Sequence, residues 1–137
     1  MCLIDEVLSW SDTEVVCTTA SHRLESNPLR TGDRLRSECG IEYAAQAIAI
    51  HGALCAQSSQ AAGAAGMLAS ARDVVAHVSR LDEVYGNMLI KALRIGGDAT
   101  ALLYLFSISD GSKLLLEGRA TIVLRPPSAK STDGTSA

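Results

Sequence analysis

The stretch Gly40-Ile41-Glu42-Tyr43-Ala44-Ala45-Gln46-Ala47-Ile48-Ala49-Ile50-His51-Gly52 is an almost wholly apolar run with one carboxylate near its start. An ionised carboxylate inside an apolar core is costly unless it is paired. Glu42 therefore either points out of the core or sits in a pocket that uses its proton affinity. Gln46 follows one helical turn on, within about 40° of Glu42 at roughly 100° per residue. Its amide can orient the Glu42 carboxyl. A core helix with one polar edge fits the same residues, and the stretch by itself leaves both readings open.

Working outward, the helix is expected from about residue 37 or 38 to about 56, with Ser37 as N-cap and Glu38 in the first turn. Ala44, Ala45, Ala47, Ala49, Gly52 and Ala53 give it little bulk, so a sheet can approach closely and wrap it. Ahead of it, residues 1–10 and 14–20 read as strands joined by the turn Ser11-Asp12-Thr13, and residues 21–37 as a long polar loop. Behind it, residues 58–66 read as a linker, and four strands are expected at 67–79, 87–95, 101–109 and 113–124. Gly96-Gly97-Asp98 and Asp110-Gly111 supply hairpin turns, which predicts a meander. Residues 1–125 make one domain, and 126–137 read as a disordered tail.

Composition narrows the function. The chain has 137 residues, 47% of them hydrophobic but only 4% aromatic, with Phe106 as its single Phe. A net charge of -3 and the lack of interleaved basic and aromatic residues argue against nucleic acid. Cys2, Cys17, Cys39 and Cys55 lack metal-site spacing, and no secretory signal or membrane-spanning run stands out, so a reduced cytoplasmic protein without metal or cofactor is expected. Cys2, Cys17 and Cys55 read as small buried hydrophobes. Cys39 lies near the helix start, where a thiol pKa can fall.

Two strands, one long helix and four strands, with Glu-x-x-x-Gln on the helix, resemble the hotdog fold, a curved antiparallel sheet of about six strands around one central helix. The motif Gly-Ile-Glu-Tyr-x-x-Gln at 40–46 looks like the helix signature of the hotdog 3-hydroxyacyl-ACP dehydratases. Cys2-Leu3-Ile4-Asp5-Glu6-Val7 resembles that family's opening strand, and Ser21-His22-Arg23 with Asn27-Pro28-Leu29-Arg30 the loop of one branch. The resemblance implies dehydration of acyl thioesters on acyl carrier protein or coenzyme A, in fatty-acid-like or polyene-type biosynthesis. It also implies a homodimer or higher hotdog oligomer, with a loop His and a helix acid from opposite subunits. Glu42 matches the acid. The His departs from the pattern: the usual spacing lands on Pro28, and His22 is the only loop histidine. An acyl-thioester hydrolase and a non-catalytic subunit beside an active dehydratase are the alternative readings.

Dehydration needs a base for the α-proton, an acid for the departing hydroxyl, and donors for the thioester oxygen. On this resemblance Glu42 handles the hydroxyl, its proton affinity raised by an apolar setting. The backbone N–H groups of Cys39, Gly40 and Ile41 hold the thioester oxygen at the helix start. Gly40 would let substrate approach the backbone. His22 leads as base, because His51 falls on the opposite face of the helix and His77 lies in a strand. Asn27 is a weaker stand-in. Arg23, Arg30, Arg34 and Arg36 form a basic loop suited to the carrier's phosphate or acidic surface.

Overall fold

Alternating side chains decide which way each strand faces. In Glu14–Thr19 (β2), Val15 and Cys17 point inward, and in Met88–Gly97 (β4) Met88, Ile90 and Ala92 do the same. Tyr104, Phe106 and Ile108 follow suit in Ala101–Ser109 (β5), as do Leu116, Ala120 and Ile122 in Leu114–Arg125 (β6). The computed structural model describes residues 2–59 and 65–125. The expected tail at 126–137 and most of the expected linker lie outside those residues.

With Glu6–Trp10 (β1) and Ala65–Ala76 (β3), these strands form one six-stranded antiparallel sheet in the order β1-β2-β4-β5-β6-β3. The helix, Gly40–Ser59 (α1), lies on its inner face. This is the hotdog architecture. The meander is confined to β4, β5 and β6; β3 pairs with β6, at the far edge from β1. Register shifts in β1, in β4, at the end of β5 and twice in β3 bend the sheet around the helix. At the second shift in β3, Asp73 adopts φ 53°, the one positive value among the described non-glycine residues.

The helix covers the sheet along Tyr43, Ala44, Ala47, Ile48 and His51, positions that recur along one helical stripe. Its opposite side, with Glu42, Ala49, Gly52 and Ala53, is exposed. The sheet therefore wraps half of the helix, not the whole of it. Ser37 is not an α-helical N-cap: Ser37–Cys39 form a 3-10 turn entered from Arg36, without side-chain capping. At the helix start Gly40 packs so closely on the sheet that an added Cβ would stand 2.5 Å from Leu116 Cδ2 and 2.8 Å from Ile108 Cδ1. Phe106 needs similar room, crossing Gly118 so that a Cβ there would lie 2.8 Å from its Cζ.

Farther along α1, His51 is fully buried. Its Nε2–H donates to the Ser11 carbonyl (2.8 Å), so Nδ1 accepts from the Tyr104 hydroxyl (2.7 Å). One ring thus joins helix, β1–β2 turn and β5.

Replacing Gly40 by Ala should destabilise the fold by about 1–3 kcal/mol, because the methyl meets Leu116 and Ile108. Urea unfolding with an unchanged slope measures it; a neutral substitution would contradict the packing.

Candidate active site

The site grows from a buried phenol. Tyr43 is fully buried, and a buried hydroxyl needs partners. It accepts from Asn27 Nδ2 (3.0 Å) and stands 2.8 Å from Ser21 Oγ, which in turn donates to the Leu3 carbonyl (2.7 Å). Asn27 also donates to the Ser21 carbonyl (3.0 Å) and accepts the Leu29 amide (2.9 Å). All of its hydrogen-bonding atoms are engaged in scaffolding, so it is no substitute for a catalytic group. Gln46 Oε1 takes the Leu3 amide (2.7 Å), tying α1 to the N-terminal segment rather than turning that atom to Glu42.

This network holds the 3-10 turn Ser21–Arg23 and, within it, His22. The ring is buried, and Nε2 lies 3.1 Å from the Val84 carbonyl. A carbonyl can only accept, so Nε2 carries the proton and Nδ1 keeps the lone pair. Nδ1 is buried without a partner. Burial chiefly, and then the cations Arg23 and Arg30, push the His22 pKa below its ordinary value, against the carbonyls of Val84 and Gly86.

Val84 belongs to a strap, residues 79–86, that sequence reading passed over. Leu81 N donates to Leu35 O (2.7 Å), Ser37 N to Ser79 O (3.1 Å), and Leu35 N to Asp82 Oδ1 (2.9 Å). Arg80 grips both oxygens of Asp82 and holds its carboxyl down at about 2. The signal lay in Leu81, a lone apolar residue between charges that is fully buried.

Several expectations change at the helix start. Glu42 is exposed and makes no side-chain hydrogen bond or ion pair among the described residues, with His22 or any other. The Cys39 amide donates to Arg36 O (3.1 Å), and the Gly40 amide to Ser37 O and Glu38 O. Two of the three candidate oxyanion donors, Cys39 and Gly40, are thus engaged in that turn. Gly40 gives its room to Leu116 and Ile108, not to a substrate. The Cys39 thiol is raised by burial, with Glu38 and Glu42 adding to the effect, so it is not an activated nucleophile. Cys17 is buried and pushed up to about 11, whereas Cys2 is exposed.

The basic loop divides. Arg30 is half-buried, with Nη1 on the Asp33 carbonyl (2.9 Å) and Nη2 on that of His22 (3.2 Å). Arg23 sits over the Tyr85 ring at 5.5 Å. Arg34 and Arg36 are exposed. His77 pairs with Glu117 on the sheet surface (3.0 Å). No group of three His, Cys, Asp or Glu among the described residues could hold a metal ion, and no helix there is long and apolar enough to cross a membrane.

Comparison with known proteins finds relatives of this fold. A family model described as ApeP-like, ApeP dehydratase, matches residues 1–132. Among solved structures, the chain is similar to the dehydratase heterocomplex ApeI:P from Xenorhabdus doucetiae, with TM-score 0.81 and 21% identity over 92% of this chain and 84% of that one. It is also similar to a thioesterase from Pseudomonas aeruginosa (TM-score 0.62, 14% identity, 88% and 80% covered). Zebra fish thioesterase superfamily member 2 gives TM-score 0.65 at 19% identity, again with 88% and 80% covered. None of the curated proteins matches.

Because the folded-state pKa of His22 lies below its unfolded value, the unfolded chain binds the extra proton first. Stability should be full above about pH 6.5 and should fall as pH drops through that value toward the folded pKa. Denaturation curves across this window should show the slope, and His22→Gln should flatten it.

Proposed function

The chain belongs to the ApeP-like dehydratase family, and from that membership we propose that it dehydrates 3-hydroxyacyl thioesters carried on acyl carrier protein, in fatty-acid or polyene-type biosynthesis. His22 Nδ1 takes the C2 proton. The electron pair forms the double bond, and the C3 hydroxyl leaves as water with a proton from Glu42. The Ile41 amide steadies the thioester oxygen as charge develops on it. A base whose pKa is lowered stays neutral at physiological pH, as this step requires.

The observation that carries the reading is the position of Glu42. It is the single carboxylate on α1, and it heads the uncovered face on which Ala49 and Ala53 leave room for an acyl chain. In the same chain His22 is held on the Val84 carbonyl of the strap and has no hydrogen bond or ion pair with Glu42. Two groups left unpaired in one chain fit a site completed by a second hotdog subunit. The long free edge of β3 is where two sheets could join. Because the similar ApeI:P assembly is a heterocomplex, the second subunit is either a copy of this chain or a different hotdog chain. Nδ1 is sealed in the single chain, so substrate must uncover it.

The test follows water loss from 3-hydroxyacyl carrier protein by mass, with the chain alone and with a hotdog partner. Glu42→Gln and His22→Ala should each lower turnover at least 100-fold, within the range of about 10²–10⁴ for general acid–base catalysis. If the partner is a second copy, mixing the two variants should restore activity, because mixed dimers hold one intact site. Hydrolysis without dehydration would instead favour the thioesterase reading. Persistence of activity in both variants of an assembled complex would assign catalysis to the partner.

Carrier recognition is proposed for the exposed cations Arg23, Arg34 and Arg36. Arg34→Ala with Arg36→Ala should raise KM for the carrier protein several-fold at low salt and less at high salt. An unchanged KM at both would remove these residues from the interface.

A further inference from the structure

Arg30 behaves least like a surface residue of all the loop cations. It is half-buried, and its guanidinium fork is fixed on two carbonyls of one loop, those of Asp33 (2.9 Å) and His22 (3.2 Å). A planar fork used in this way is a staple, closing the backbone from 22 to 33 in one shape. A second observation is independent of that geometry. Among the described residues, the buried side-chain polar atoms without a partner are two, Arg30 Nε and His22 Nδ1. The leftover donor and the leftover acceptor thus belong to two residues that the Arg30 Nη2 bond to the His22 carbonyl joins.

We propose that Arg30 is a positioning residue for His22 rather than a contact for the carrier. The Val84 carbonyl fixes which ring nitrogen bears the proton, and Arg30 fixes the backbone from which that ring projects. This inference rests on the reading of His22 as the base. The charges acting on His22 are the two cations, Arg23 in its own turn and Arg30. The packed strap presents the carbonyls of Val84 and Gly86, and its Asp82 is engaged by Arg80.

The experiment compares the parent with Arg30→Lys and Arg30→Ala in the assembled enzyme. It measures kcat and KM at two salt concentrations, the pH profile, and titration of the His22 ring by nitrogen-edited NMR. Loss of the staple should lower kcat roughly 10- to 100-fold, with a smaller change in KM. In Arg30→Ala the acid limb of kcat/KM and the ring titration should both move to higher pH, since a cation that disfavours the imidazolium is gone. Arg30→Lys keeps the charge without the fork, so it should lose kcat with little movement of the limb. Added guanidinium ion should restore part of the Ala variant's kcat. A salt-sensitive rise in KM with unchanged kcat would overturn the inference in favour of carrier docking. Lost kcat with an unmoved ring titration and no rescue would reduce Arg30 to general scaffolding. Should Arg30→Ala fail to fold, the Lys variant still decides through its split of kcat from KM. The ring titration needs no turnover: if the parent is inactive or His22→Ala retains full activity, the base reading fails, while a moved titration upholds the coupling of Arg30 to His22.

Discussion

A single buried hydroxyl organises one end of this molecule. Tyr43 comes from the first turn of the helix, where its ring belongs to the core, and its oxygen has to find partners away from water. It finds them in Ser21 and Asn27, the two residues that bracket the His22 turn. Ser21 passes the connection on to the Leu3 carbonyl, and Gln46 takes the Leu3 amide one helical turn later. Helix, N-terminal segment and loop are therefore fixed by one set of hydrogen bonds. The position of the histidine follows from the need to satisfy a tyrosine.

The rest of the fold is a matter of close approach. With so few aromatic residues the core is thin, and glycine stands where backbone must meet side chain: Gly40 under Leu116 and Ile108, and Gly118 beneath Phe106. Bulges bend the sheet so that the helix sits in a shallow trough, one side seated and the other open. At the far end His51 joins the helix to the β1–β2 turn and to β5, so α1 is anchored near both ends by buried polar groups. Two anchors fix the rotation of the helix about its axis and keep Glu42 on the open side.

Much of this was legible in the sequence, because much of it is local. The alternation around Val15 and Cys17, the span 101–109, and the small-residue run after Gly40 each follow from period and size. The pairing of β3 with β6 was not, since turn residues report only on hairpins between neighbours and this pair is joined through distant chain. The strap was missed because its bonds to Leu35 and Ser37 are largely backbone to backbone and leave little trace in residue type. Arg30 read as one more carrier-binding cation for a related reason: its partners are carbonyls, which any sequence supplies. Glu42 was visible as an anomaly from the start. What it faces depends on a second chain, and a single sequence does not contain that.

The kink at Asp73 reaches beyond the single molecule. A strand of twelve residues on the rim of a sheet is a template, and a straight one could recruit further chains without end. Here the left-handed turn at Asp73 breaks the ladder partway along, and the carboxylate, 3.6 Å from Arg119, puts charge at the break. An earlier shift, between Leu68 and Ser70, already interrupts the run before the kink, so regular backbone comes only in short stretches. Whatever pairs along this edge meets an interrupted ladder rather than one long straight strand. The same irregularity that curves the sheet for the helix thereby limits how the chain can polymerise.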